Sequence, residues 1–311
     1  MTLPKANLGG VYAVRSFPRL FPRSLNSQRL LPLIFLSPAV LWVILVTFGP
    51  VLEAVNLSLH RTNFLELGRF VGFANYVDFL KAPLSRTNLE NSLVFTFGSL
   101  TLSLPLAVGL ALLLEHPFPG RGVFQTLLIL PWVVSQLLTA LLWRFISSPL
   151  IGPLSYFLGV LTDSRVDIFG TASTALFGVI ITNVWRTFPY AMILTLAALQ
   201  TIPRELYEAG RMDGATGWRL FWHVKFPLIR NTLLVATIMM SIHYFNMIEL
   251  PLILTGGGPA GATDLLGLRV YREAFILLKF GSASAIAIIM FLVNVVFSLI
   301  YIRVLRSERY Y

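Results

Sequence analysis

Cysteine is absent from all 311 residues, which excludes disulfide staples, thiolate metal centres and cysteine nucleophiles in one step. Charge is scarce as well: Asp, Glu, Lys and Arg make up 12% of the chain, too few to coat a soluble globule of this length. The four histidines, His60, His116, His223 and His243, stand too far apart to form a paired-ligand motif, so no metal site is expected. Neither a G-x-x-x-x-G-K-[ST] stretch nor a G-x-S-x-G elbow occurs, so nothing points to ATP or ester hydrolysis by this chain. A basic groove interleaved with aromatics is missing too. The net charge of +10 therefore reads as topology and attraction to anionic headgroups, with no nucleic acid as partner. No internal repeat is visible, which weighs against an inverted-repeat secondary transporter.

What the chain has is apolar length. Hydrophobic residues make up 56% of it and its mean hydropathy is +0.76. Runs near the 20 residues that span a bilayer fall at about 31–55, 89–114, 123–145, 174–199, 231–254 and 281–304, without the alternation of barrel strands. The expectation is an all-α membrane protein with six transmembrane helices. Residues 1–29 form a basic tail carrying Lys5, Arg15, Arg19, Arg23 and Arg29 and no acid, followed by a transmembrane domain over 30–311. The first run is long and has no small-residue cleavage site, so it reads as an uncleaved span and not a signal peptide. Six spans place both termini in the cytoplasm, in keeping with a modest Lys and Arg bias to that side.

One long inner loop, about 200–230, interrupts the lipid-facing pattern with "TIPRELYEAGRMDGATGWRLFWHVKFP". Thr201 is a possible cap, Pro203 suits a first turn, and Glu205 and Glu208 suit the positive end of a helix dipole. Gly214 permits a sharp break, after which a second amphipathic piece runs to Pro227, where the pattern predicts its end. Trp218, Phe221 and Trp222 can anchor that piece at the interface, leaving the end from Glu208 to Asp213 projecting. On residues alone, a docking helix and an amphipathic connector remain open.

The stretch resembles the signature loop of permease subunits of bacterial binding-protein-dependent ABC importers. That loop reads Glu-Ala-Ala, three residues, Gly, nine residues, Ile-x-Leu-Pro; here the same spacing carries Glu208-Ala209-Gly210, Gly214 and Val224-Lys225-Phe226-Pro227. Gly210 replaces the second alanine, and Val224 and Phe226 are apolar exchanges. Further stretches, "FVGFANYVDFL", "RGVFQTLLILPWVVSQLLTALLWRFI", "VWRTFPYAMILTLAALQTIPRELYEA" and "LTGGGP", are similar to the carbohydrate-uptake branch of that family, maltose-type, over roughly residues 31–306. The resemblance implies the type I importer permease fold in the bacterial cytoplasmic membrane, with the loop as a coupling helix seated in a cytoplasmic ATPase. It implies a non-catalytic subunit in a heterodimer with a second homologous permease. Two ATP-binding subunits holding ATP and Mg, an extracytoplasmic sugar-binding protein and membrane lipid complete the partners, and no cofactor is bound by this chain. Through the loop it assigns coupling to Glu205, Glu208, Ala209, Gly210, Asp213, Gly214 and Pro227.

A charge at the middle of a span costs about 2.5–3.5 kcal/mol, so intramembrane polar groups mark a path or a packing contact. Asn183, Arg186, Thr187 and Tyr190 fall at i, i+3, i+4 and i+7 in the fourth run, one helical face. Met240, His243, Tyr244 and Met247 repeat that spacing in the fifth, with Asn246 and Glu249 on an adjacent strip. Hydroxyl partners and aromatic faces suit a sugar, and in maltose-type relatives the membrane sugar site is drawn from these two stretches. Arg186 would equally suit a glycerol-phosphate; a polyol, helix pairing and contact with a sister subunit also remain open. An ion-coupled secondary transporter would use Arg186 with Glu249. A membrane enzyme would need Ser241 with His243, which two positions apart face different ways. The glycines of "LTGGGPAGATD" suit either a docked binding protein or a plain turn.

Overall fold

A computed structural model describes residues 27–306 apart from 64, 65 and 165. The basic groups Lys5, Arg15, Arg19 and Arg23 lie outside the described residues, as does the Arg29 side chain. By compactness the chain falls into two units, residues 1–51 and 52–311. The first is represented by α1 (Ser27–Ser58), whose residues 35–51 are exposed on every side, including Trp42 at 69%. A helix apolar all round and uncovered is matched to lipid, not to water.

The second unit opens with an antiparallel hairpin, β1 (His60–Asn63) and β2 (Glu66–Phe70), which the helical periodicity did not predict. Then come α2 (Ala74–Lys81), α3 (Pro83–Glu115), α4 (Arg121–Val133), α5 (Gln136–Ile146), α6 (Pro153–Thr162), α7 (Ala172–Gln200) and α8 (Arg204–Met212). A short α9 (Gly217–Leu220) passes through a π turn into α10 (Phe226–Phe245), followed by α11 (Glu249–Leu254), α12 (Leu266–Tyr271) and α13 (Phe280–Arg306). Among the described residues five helical stretches are long and apolar enough to cross a bilayer, namely Phe35–Ser58, Pro83–Glu115, Ala172–Gln200, Gly217–Phe245 and Phe280–Arg303. The sixth is a bent pair.

Two expected spans are broken. The run at 123–145 is not one helix: α4 and α5 meet at 98°. Pro131 removes an amide from the last turn of α4; Val134 and Ser135 are extended, and the Ser135 hydroxyl then caps α5 by accepting from Leu138 N–H at 3.3 Å. The run at 231–254 stops at Phe245, where Asn246 folds its side-chain amide back onto Ile242 O at 2.7 Å, and resumes as α11. Met247 and Glu249 therefore leave the register of α10.

The centre of the fold is the contact of α3 with α7. Ser99, Ser103, Ala107 and Ala111 recur every fourth residue and are fully buried, a stripe small enough to let α7 approach. At Gly98 an added Cβ would lie 3.1 Å from Ile180 Cδ1. Four hydroxyls in this dry contact are satisfied within their own helices: Thr96 donates to Ser92 O, Ser103 to Ser99 O, Thr182 to Gly178 O and Thr195 to Ala191 O, all at 2.6–2.8 Å, whereas the Ser99 hydroxyl has no partner among the described residues. Around them pack Phe95, Val179, Met192 and Leu199. The glycines after α11 belong to an ordered loop. Thr263 donates to Gly258 O at 2.8 Å, Asn88 to Asp264 O at 2.9 Å, and Gly257, at φ 84, leaves no room for a Cβ beside Leu268.

If the small stripe sets the spacing of α3 and α7, Ala107→Leu should overpack it by about 1–3 kcal/mol while a surface change such as Leu113→Ala costs far less. Thermal unfolding of the detergent-solubilised protein checks the difference.

Candidate functional site

The polar loop folds as a short helix, none of whose residues is buried, with a defined stop. Pro203, extended at φ −58 and ψ 140, is the N-cap of α8, and Thr201 instead closes α7 by donating its hydroxyl to Ala198 O at 2.8 Å. Thr201 is thus a cap of the other helix. Glu205 occupies the first turn and Arg211 the last, the order that complements the helix dipole. At the far end Ala215 N–H reaches Gly210 O at 2.9 Å and Gly214 N–H reaches Arg211 O at 3.0 Å, with Gly214 at φ 78. This is the Schellman closure, which needs a left-handed residue where Gly214 stands.

Glu205, Glu208, Ala209, Asp213 and Gly214 are all exposed, and no residue of α8 is buried. Gly210 faces the next element: a Cβ there would lie 3.0 Å from Leu220 Cδ1 and 3.3 Å from Val224 Cγ2. Pro227 does not end the second piece. It sits in the first turn of α10, exposed, because the π turn Phe221–Lys225 shifts the hydrogen bonding by one residue, with Phe226 N–H on Phe221 O. Trp218 and Trp222 are exposed, as interface anchors would be, whereas Phe221 is buried beneath Trp218 with ring centroids 5.5 Å apart.

The intramembrane residues gather only in part. Arg186, Thr187 and Tyr190 of α7 and Met240, His243 and Tyr244 of α10 line one cavity of 310 Å³, joined by Met239 and by Trp132 of α4. Trp132 and Tyr190 form an aromatic wall with centroids 6.0 Å apart. Trp132 had no signal in sequence beyond an aromatic in a span; it is carried by α4, which packs on α7. Asn183 is fully buried, outside the lining, and neither amide atom has a hydrogen-bond partner among the described residues. Met247 and Glu249 are also outside it. Met247 is buried against the Gln136 amide, and Glu249 is exposed at the start of α11, both displaced by the end of α10.

Within the cavity Arg186 supplies charge, and its Nε is buried with no hydrogen-bond partner among the described residues. Tyr244 is fully buried; its hydroxyl meets Thr187 Oγ1 at 2.5 Å and Ser103 Oγ at 3.3 Å, so one phenol joins α3, α7 and α10. Ser241 is buried with its hydroxyl on Ile238 O at 2.9 Å, while His243 is exposed toward the cavity. The two do not face each other, so a nucleophile and base pair is not assembled here. Among the described residues no cluster of three or more His, Asp or Glu could hold a metal.

Residues 103–309 match the family model for the binding-protein-dependent transport system inner membrane component. The chain belongs to that family. Among its relatives, the trehalose/maltose transport system permease protein MalF of Thermococcus litoralis is 33% identical over 89% of this chain and 94% of its own length. The sn-glycerol-3-phosphate transport system permease protein UgpA of Agrobacterium fabrum is 29% identical over 91% and 97%. A solved bacterial ABC transporter involved in import of the acidic polysaccharide alginate has a chain of the same fold, with TM-score 0.78 at 23% identity over 91% of this chain and 97% of that one. As a family member the chain is a multi-pass inner membrane protein of the type I permease fold.

Tyr244 separates anchoring from lining. Because Thr187 and Ser103 keep their bonds to Asn183 O and Ser99 O, Tyr244→Phe should cost only about 1 kcal/mol, and Tyr244→Ala about 3–5 kcal/mol through the cavity it opens. Thermal unfolding of the two variants beside the parent tests the pair.

Proposed function

We propose that the chain is the membrane-spanning permease subunit of an ATP-driven importer that moves a di- or oligosaccharide by alternating access. It would pair with a second, homologous permease, two ATP-binding subunits that hold ATP and Mg, and an extracytoplasmic sugar-binding protein. The observation that carries this reading is α8: a two-faced, unburied helix, closed at Gly214, standing off the ends of the longest spans. Such a helix buries none of its residues, and its Glu208, Ala209 and Gly214 have the spacing of the family's coupling loop. In this reading both chain termini and α8 are cytoplasmic. ATP binding closes the ATPase dimer, α8 carries the motion into α3 and α10, and the cavity between α7 and α10 changes the side to which it opens.

The cavity supports a sugar as cargo. Trp132 and Tyr190 offer faces for an apolar ring surface, while Arg186 and His243 offer donors for hydroxyls. Arg186 also favours a second reading within the same class, a glycerol-phosphate, the cargo named for the 29% identical relative. An ion-coupled carrier would use Arg186 with Glu249, and it would leave α8 without a role, so that reading has less support.

ATPase activity of the complex in liposomes, with its binding protein and a panel of maltose, trehalose and sn-glycerol 3-phosphate, tests the proposal. Coupling free energies of about 1–3 kcal/mol predict that Glu208→Ala and Gly214→Asp lower cargo-stimulated hydrolysis by roughly 5- to 150-fold while membrane insertion persists. Uptake on an ion gradient, indifferent to both changes and with no ATPase in the complex, would overturn it.

A further inference from the structure

Three residues to which the sequence assigned no role meet between α8 and its neighbours. Glu115 ends α3, Tyr207 lies at the middle of α8, and Lys225 closes the π turn that leads into α10. Lys225 Nζ stands 2.5 Å from Glu115 Oε2, and the Tyr207 hydroxyl donates to Glu115 Oε1 at 2.7 Å. Lys225 Nζ also lies 5.2 Å from the centroid of the Tyr207 ring, closing the triangle. The ion pair is largely shielded from solvent, with side-chain exposures of 9% for Lys225 and 14% for Glu115. Burial and the neighbouring carboxylate push the Tyr207 phenol well above its ordinary value, so it stays a donor throughout the physiological range.

We propose that Glu115, Tyr207 and Lys225 form a charge clamp that positions α8 as a rigid lever on α3 and α10 together. The inference rests on the importer reading above and names the residues through which its coupling helix acts. Three observations carry it. No residue of α8 is buried, its apolar contacts include Tyr207 at the edge of the core and Gly210 beside Leu220 and Val224, both half-buried, and a cavity of 640 Å³ lined by Arg204, Arg211 and Thr216 lies between it and its neighbours. Each carboxylate oxygen of Glu115 has its own donor from a different segment, which sets direction as well as distance. Glu115 is also the next step of the every-fourth-residue row that runs through Ser99, Ser103, Ala107 and Ala111, so a pull on it loads the face of α3 that packs on α7. Lys225 delivers the same pull to α10. Two of the helices that line the interior cavity, α10 directly and α7 through α3, are then moved from one point.

The chain has no cysteine, so spin labels can be placed without background. The complex in liposomes would be compared as parent, Glu115→Gln, Tyr207→Phe, Lys225→Met and the reversed pair Glu115→Lys with Lys225→Glu, scoring cargo molecules moved per ATP hydrolysed. The clamp predicts a fall of several-fold to tenfold in that ratio for each single change, in assembled complexes, and partial recovery in the reversed pair. Labels at Met212→Cys and Leu113→Cys, both exposed, should give one narrow distance in the parent and a broadened one in Tyr207→Phe and Glu115→Gln. An unchanged ratio with an unchanged distance distribution overturns the clamp. Where a variant fails to assemble, the labelled purified chain decides by the same criterion. A parent complex that hydrolyses ATP without moving any of the panel, or moves it without ATP, refutes the importer reading instead, and the distance measurement still judges the clamp.

Discussion

Polar groups on the facing sides of α3 and α7 lie away from water, and the way most of them are satisfied shapes the structure around them; among the described residues the Ser99 hydroxyl and the Asn183 amide are exceptions. Ser and Thr hydroxyls turn back onto the carbonyl one turn earlier, as Thr96, Ser103, Thr182 and Thr195 do. A hydroxyl satisfied inside its own helix presents an outer surface nearly as small as alanine. The helices can then lie close over most of their length, gaining dispersion contacts where lipid supplies no hydrophobic force. A stiff pair results, and the remaining elements are arranged by how they attach to it.

Attachment at the interior is by one phenol. Tyr244 inserts its hydroxyl between Thr187 and Ser103 and thereby fixes α10 against the pair at the depth of the cavity. The cavity follows from that insertion, because α10 is held by its buried edge while His243 and Met239 are left facing open space. Trp132 closes the side, carried by α4 where it packs on α7, just before the chain turns by 98° into α5. Packing, a helix break and an aromatic pair are thus successive steps of one construction.

Sequence made the long helices and the loop legible for physical reasons that do not apply to the breaks. A run of 20 apolar residues has few fates, and Gly214 at the end of a charged helix has one obvious use. The stripes at Asn183 to Tyr190 and Met240 to Tyr244 also carried enough periodicity to find most of the cavity lining. Val134 with Ser135, and Asn246 with its neighbours, are short polar interruptions in apolar text, and hydropathy averages over them. Met247 and Glu249 were misplaced for that reason alone. Glu115 and Lys225 were invisible as a pair because 110 residues separate them, and a single charge at a span end reads as an interface anchor.

Gly210 ties the loop's chemistry to its mechanics. The family's alanine at this place would bring a Cβ to 3.0 Å from Leu220 and 3.3 Å from Val224, closer than those side chains allow without shifting. Glycine loosens an isolated helix by up to about 1 kcal/mol relative to alanine, which taken alone would argue for a softer element. Here the loss is offset by closeness, since the glycine lets α8 rest on the π turn at the same time as Tyr207 reaches Glu115. One contact would leave α8 free to pivot about it. Two contacts on different residues of a short helix remove that rotation, and a helix that cannot rotate transmits displacement.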